Sequence, residues 1–341
     1  FLSSAMYRFP PDRVRAWFEA RGVPLKVEDD LRVFPVSNDG RDIVGVFEKL
    51  FQSQTVRQML NTSVKRIEKR EQQFYLFLKD QPKPLVVDRV ILTTGGQAYR
   101  HTGSKGDGYA FAQSLGHSIT QLAPSLSSLF TKEAWPAEIS GLSFERATIR
   151  AMNDNKITRT GPFLFTHRGI SGPAAFALSS LVAFESFDRE HPLEILIDLF
   201  PDKSRDDLRE MIETNISNNL KKSFTNSFVG IIPKSLSEIL CSQLKIPQEK
   251  KSGEISKKDI ARCVDWLKGI PMHVISIGAG DEFVTAGGVN LKEVNPATME
   301  SKLCHGLFFA GEILDIDGFT GGFNLQASWA TGSLAGEYAA L

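Results

Sequence analysis

The sequence predicts an α/β fold whose main domain is discontinuous, interrupted by a β-rich insertion and a small helical one. Leu307, Phe308, Phe309 and Ala310 form a short continuous apolar run, as a parallel strand covered on both faces requires. The run ends at Gly311-Glu312, and a turn with Gly318, Gly321 and Gly322 then leads into 324–338, whose small and apolar residues suit a buried helix. Far upstream, 86–92 reads as a second buried strand, apolar apart from Asp88 and Arg89, and it stops at Thr93-Thr94-Gly95-Gly96.

The remaining elements follow in order. An amphipathic helix is expected over 11–21, with Pro11 at its start and Gly22 past its end, and a second over 41–60. Strand-like alternation covers 63–67 and 74–78. Gly106-Asp107-Gly108 opens another helix, with Asp107 placed to cap it, ending near Gly116. From about Leu122 the chain turns to separated strands at 127–132, 147–152, 161–165 and 193–199. Between Pro201 and Pro271, periodic apolar residues such as Leu208, Met211, Ile212 and Ile216 predict helices. Strands at 274–277 and 283–289 then lead back to the strand at Leu307. The expected domains are therefore 1–121 with 294–341, 122–199 with 272–293, and a helical insertion at 200–271.

Ligands of open α/β sheets bind at the carboxyl ends of strands, and the free N–H groups of a helix start face such a turn. This turn carries Glu312, Asp315 and Asp317 instead of the Lys and Ser/Thr pair of a polyphosphate loop, and three carboxylates would repel a polyphosphate. A carboxylate accepts hydrogen bonds from hydroxyls, so Glu312 suits a polyol such as the ribityl chain of a flavin. The alternative is a tight connection without a ligand.

Composition narrows the partners. Lys+Arg and Asp+Glu are equal at 40 each, and the one basic block, 64–70, reads as the exposed face of a strand. There is thus no electrostatic case for nucleic acid. No apolar stretch approaches a membrane span of roughly 18 residues, and no signal peptide is visible. Cys241, Cys263 and Cys304 lack C-x-x-C spacing, which suits reduced thiols in the cytoplasm. The histidines show no metal-ligand spacing, and no Ser/His/Asp arrangement can be read from the chain.

The run from Gly306 to Gly332 resembles the C-terminal flavin motif of the YhiN/BaiN-type family of bacterial NAD(P)/FAD-dependent oxidoreductases, with Phe323 in place of the usual Tyr. Four further segments resemble the same family in the same order: Arg32 to Ser37, Thr93 to Gly96 with Thr102 to His117, Phe165 to Ala174, and Thr285 to Leu303. The resemblance covers nearly the whole chain. It implies a Rossmann-like FAD domain of the glutathione-reductase type and a flavin-dependent oxidoreductase acting on a small organic substrate, with NAD(P)H or dioxygen as electron partner. It implies FAD contacts at Thr94, Gly95, Gly96, Gly311, Glu312, Gly321, Gly322, Phe323, Asn324, Leu325 and Gln326. Val64 is expected to pass the adenine through its backbone or to be a plain sheet residue. Gly106, Asp107 and Gly108 lie beside the cofactor or serve only the helix start. His167, with Arg168, is a candidate acid or base, the alternative being a packing role. The chain lacks a G-x-G-x-x-G turn after an apolar strand and begins at Phe1, so at least one N-terminal βαβ unit, on the order of 30 residues, is expected to be missing. A remnant that folds without holding FAD is the competing expectation. An FAD-dependent RNA-modifying protein is disfavoured by the balanced charge, and the oligomeric state stays open.

Overall fold

The structure, a computed structural model, describes residues 1–29, 31–53, 56–152, 157–278 and 282–341. The chain begins with α1 (Ser3–Arg8) and α2 (Pro11–Glu19), where Pro11 takes the first helical position, which needs no N–H. A hairpin of β1 (Leu25–Val27) and β2 (Val33–Pro35) precedes α3 (Arg41–Ser53). Then come β3 (Val64–Arg70), β4 (Gln73–Leu78), β5 (Leu85–Val87), β6 (Val90–Leu92), α4 (Asp107–Ser114) and β7 (Ala123–Ser125). The central part holds β8 (Leu129–Thr131), β9 (Ser143–Ala151), β10 (Thr158–Thr166), β11 (Gly169–Ser171), α5 (Pro173–Leu181), β12 (Leu193–Asp198), α6 (Arg205–Asn218), α7 (Lys234–Gln243), α8 (Lys257–Leu267) and β13 (Ile270–Ile277). The chain closes with β14 (Val284–Ala286), β15 (Leu307–Phe309) and α9 (Gly321–Ala339).

These elements form two compact units, Phe1–Ala123 with Phe283–Leu341, and Pro124–Glu282. In the first, β15 pairs in parallel with β6, placing Leu307 beside Val90 and Phe309 beside Leu92. All three β15 side chains are buried, in a core shared with Tyr109 and Ala112 of α4 and Ala330 and Leu334 of α9. The β3-β4-β5 sheet is antiparallel. A smaller core joins Val14, Phe18 and Val46, and Trp329 of α9 stacks on Phe47 at 5.6 Å.

The second unit is a closed six-stranded barrel in the order β10-β11-β8-β13-β12-β9. Closure removes open edges, and Leu129, Ile149, Phe163, Phe165, Ile170 and Ile195 are buried in its core. Helices α5 to α8 share that core through Leu178, Leu208, Leu240 and Leu267. The 200–271 stretch thus packs as part of the barrel unit, and 283–293 cluster with the first unit.

Three local expectations are corrected. The helix expected over 41–60 ends at Ser53, and 56–60 are not helical: among the described residues of this stretch the last packed on its core is Leu50, and Val56 and Leu60 are exposed. Residues 54–55 lie outside the described residues. The strand expected over 86–92 is two strands in two sheets, because Asp88 and Arg89 turn outward to partners of their own. Gln73 donates to Asp88 at 3.1 Å, and Arg89 donates to the Tyr338 carbonyl at 3.2 Å. Asp107 does not cap α4. The N-cap is Gly106, whose φ of 85° suits glycine, and Asp107 is the first helical residue, where a carboxylate favours the helix dipole. Among the described residues no helix is long and apolar enough to cross a membrane.

Candidate cofactor site

The site grows out of the parallel strand pair. The Ala310 N–H donates to the Leu92 carbonyl at 3.1 Å, so the chain after β15 and the chain after β6 leave the sheet side by side at its carboxyl end. One exit carries Gly311 and Glu312, and the other carries Thr94, Gly95 and Gly96. Gly311 has φ 77°, a conformation that favours glycine, and its N–H donates to Thr331 of α9 at 3.0 Å.

Glu312 is half-buried and its carboxyl is fixed. The Thr285 N–H donates to Glu312 Oε1 at 2.8 Å. The Thr285 hydroxyl accepts the N–H groups of Gln97 at 2.6 Å and Ala98 at 3.2 Å. Gly96 is pressed into this corner: a Cβ there would stand 2.7 Å from Thr285 Cβ and 2.8 Å from Glu312 Oε1. Desolvation pushes the Glu312 carboxyl above the ordinary range, and the hydrogen bonds from Thr285 oppose the rise. Asp315 is raised as well, first by desolvation, with a smaller contribution from Asp317.

Tyr109 completes the cluster. It is 5% exposed, and its hydroxyl is buried without a hydrogen-bond partner among the described residues. Burial raises this phenol, with Glu312 and then Asp315 adding to the rise. Buried hydroxyls in native proteins almost always find a partner, so a bound group or an ordered water is needed to complete this one. Gly108 sits where a Cβ would be 2.8 Å from Ile313 Cδ1 and 3.0 Å from Thr94 Cβ. Val64 of β3 packs against the same core as Tyr109.

At the start of α9, Thr320 is the N-cap and makes no side-chain cap bond. Asn324 shapes the preceding turn: its Oδ1 accepts the Gly318 N–H at 2.8 Å, and its Nδ2 donates to the carbonyls of Gly318 and Thr320. Gly321, Gly322, Phe323 and Leu325 are exposed. Gln326 is differently employed, with Nε2 donating to the Phe9 carbonyl at 2.9 Å.

His167 and Arg168 belong to the barrel unit. They form the two-residue turn between β10 and β11, where Thr166 pairs with Gly169, and both are exposed. The Arg168 guanidinium lies 3.8 Å from the centre of the Phe130 ring. Among the described residues no cluster of His, Cys, Asp or Glu could hold a metal.

Sequence reasoning passed over Thr285 and Tyr109 as site residues. Each sits inside a segment already singled out, but only the fold brings Thr285 into hydrogen bonding with Glu312 and Tyr109 within reach of its charge. A Ser-His-Glu alignment was also not legible: His117 Nε2 is 2.7 Å from Ser301 Oγ, and His117 Nδ1 is 3.2 Å from Glu293 Oε2, though off the line of a good hydrogen bond. This is a structural clamp rather than a nucleophile. Ser301 and His117 are buried, and Ser301 Oγ already accepts the N–H groups of Leu303 at 3.0 Å and Cys304 at 2.7 Å.

The donor set fits a flavin dinucleotide: hydroxyl-accepting Glu312, an uncapped helix start, glycines at two close approaches and an unpartnered phenol. The fold is that of an α/β protein of Rossmann type, a class whose ligands bind at the carboxyl ends of the strands. The chain belongs to the HI0933-like protein Rossmann domain family, whose pattern matches residues 1–338. It is 30% identical over 314 residues to the 3-dehydro-bile acid delta(4,6)-reductase of Clostridium scindens, covering 90% of this chain and 75% of that protein. It is 31% identical over 250 residues to the ribosomal RNA dihydrouridine synthase of Haemophilus influenzae, covering 71% of this chain and 58% of that protein. The Escherichia coli protein of the same name is 27% identical over 248 residues, covering 72% and 58%.

Proposed function

We propose that this chain holds FAD in a glutathione-reductase-type domain and serves a flavin-dependent oxidoreductase, with NAD(P)H or dioxygen as electron partner. The observation that carries the reading is Glu312, fixed at the carboxyl end of β15 by the Thr285 N–H and close enough for its charge to raise the buried Tyr109 phenol, whose hydroxyl has no partner among the described residues. When bound, FAD would accept and deliver hydride, which no side chain can do. Glu312 would accept the hydroxyls of the ribityl chain. The first turn of α9, where the bound ring buries it, would stabilise negative charge developing on the ring by about 1 to 2 kcal/mol, roughly 20 to 45 mV for a two-electron couple. That biases the redox balance without choosing a substrate.

The substrate class is drawn from the relatives' names. A delta(4,6)-reductase saturates ring double bonds, and a dihydrouridine synthase saturates the ring double bond of uridine. The shared event is reduction of a carbon–carbon double bond in a ring, which favours a small cyclic alkene conjugated to a carbonyl. An RNA uridine is the second reading, favoured by the names of the two ribosomal RNA dihydrouridine synthases, and equal numbers of charges do not exclude it. His167 and Arg168, exposed on the barrel unit, stay candidates for moving a proton and for orienting an anionic or carbonyl group, the alternative being a packing role.

Anaerobic stopped-flow mixing of the FAD-loaded chain with NADPH or NADH, followed by a cyclic enone or a uridine-containing RNA, tests this. Bleaching near roughly 450 nm and its recovery on one substrate support the reading. A flavin that neither nicotinamide nor any of these substrates reduces or reoxidises refutes it. His167→Gln should slow the substrate step by about 10²- to 10⁴-fold without changing the flavin spectrum. Near-normal rates would remove His167 from the mechanism.

A further inference from the structure

We infer that Thr285 is a positioning residue for the cofactor, acting through Glu312, an inference that rests on the flavin reading above. Thr285 is 3% exposed, so it is enclosed and works through its neighbours. Its side chain joins three segments that are far apart in sequence. The hydroxyl oxygen accepts Gln97 N–H at 2.6 Å and Ala98 N–H at 3.2 Å, which fills its lone pairs. Its one proton is then free to be donated, and the acceptor beside it is Glu312, whose Oε1 also takes the Thr285 N–H at 2.8 Å.

The consequence is directional. A carboxylate with an N–H and an O–H on one side is held in its acceptor form with the remaining lone pairs turned elsewhere. The same hydroxyl anchors the 94–98 loop, so the loop and Glu312 cannot shift independently. Gly96 confirms how tightly the parts fit, since a side chain there would strike both Thr285 and Glu312. Among the described residues, the titratable groups whose shifts respond to Glu312 are the Tyr99 phenol on the loop after β6 and the Tyr109 phenol on α4, which also feels Asp315. Both phenols are raised, and neither supplies a positive charge. The hydrogen bonds from Thr285 are therefore what opposes the rise that burial causes in the Glu312 carboxyl.

The test is FAD binding to the full chain, followed by calorimetric titration from about pH 5 to pH 8, a range that spans an upward-shifted carboxyl. Thr285→Val keeps the N–H and removes the O–H. It should weaken FAD about tenfold at neutral pH and move the acid-side loss of binding upward by roughly one pH unit. Thr285→Ser should restore both. Thr285→Cys, a weaker donor, carries the same test if the valine variant does not fold: its acid limb should also move upward, by less. A residue that merely stabilised the fold would lower the melting temperature and leave the acid limb in place. FAD bound with the same acid limb in every variant would overturn the role of Thr285 alone, whereas an unaltered chain that binds no FAD at any pH would overturn the flavin reading with it.

Discussion

Gly108, the second residue of α4, lies against Thr94 and Ile313 so closely that a Cβ would stand 2.8 Å from Ile313 Cδ1. Gly322, in the first turn of α9, has open space, with only Thr320 Oγ1 near, at 3.9 Å. The two glycines should therefore answer alanine oppositely. Gly108→Ala is expected to destabilise the chain by about 1 to 3 kcal/mol through overpacking. Gly322→Ala should leave stability unchanged or raise it by up to about 1 kcal/mol, since alanine is the better helix former. Any loss of FAD affinity in Gly322→Ala would then report crowding of the ligand by the new methyl. Melting curves with and without FAD separate the two, and equal destabilisation would contradict the packing described.

Tyr109 offers a test of the unpartnered hydroxyl. Tyr109→Phe removes a buried O–H that has no partner, so the ligand-free chain should melt at the same temperature or higher. FAD should bind about threefold to tenfold more weakly, the loss of one neutral hydrogen bond. A lower melting temperature without FAD would mean that the hydroxyl is already satisfied.

The buried His117 predicts a pH dependence of stability. Desolvation lowers its pKa in the fold, although Glu293 opposes the shift. The unfolded chain, with an ordinary histidine near about 6.5, therefore takes up a proton that the folded chain refuses. Stability is full above that value and falls as pH drops through and below it. Glu293 is itself lowered and adds a second loss, below the ordinary carboxylate range. The melting temperature should decline between about pH 6.5 and pH 5, and His117→Gln should flatten that decline. Identical slopes would remove His117 as the cause.

The ligand end of the fold was legible where residue type and spacing leave few choices. The apolar Leu307-Phe308-Phe309 run is a buried parallel strand, and the glycines after it precede a long helix. Other features were hidden because they depend on partners distant in the chain. Asp88 and Arg89 break a strand only because Gln73 and Tyr338 are there to receive them. The barrel is a matter of closure, which no single strand encodes. Thr285 looks like any threonine until Gln97, Ala98 and Glu312 surround it. Gln326 likewise falls within the flavin-like run, yet its amide is drawn to Phe9 by the packing of α1 on α9.

Glu312 is where the cofactor reading is most exposed to refutation. Calorimetric titration of FAD into the unaltered chain and into Glu312→Ala measures its contribution directly. The unaltered chain should bind FAD saturably, and the variant should bind about one to two orders of magnitude more weakly, the loss of a charge-assisted hydrogen bond of about 1.5 to 3 kcal/mol. Equal affinities, or no binding by the unaltered chain, would contradict a flavin held at this carboxylate.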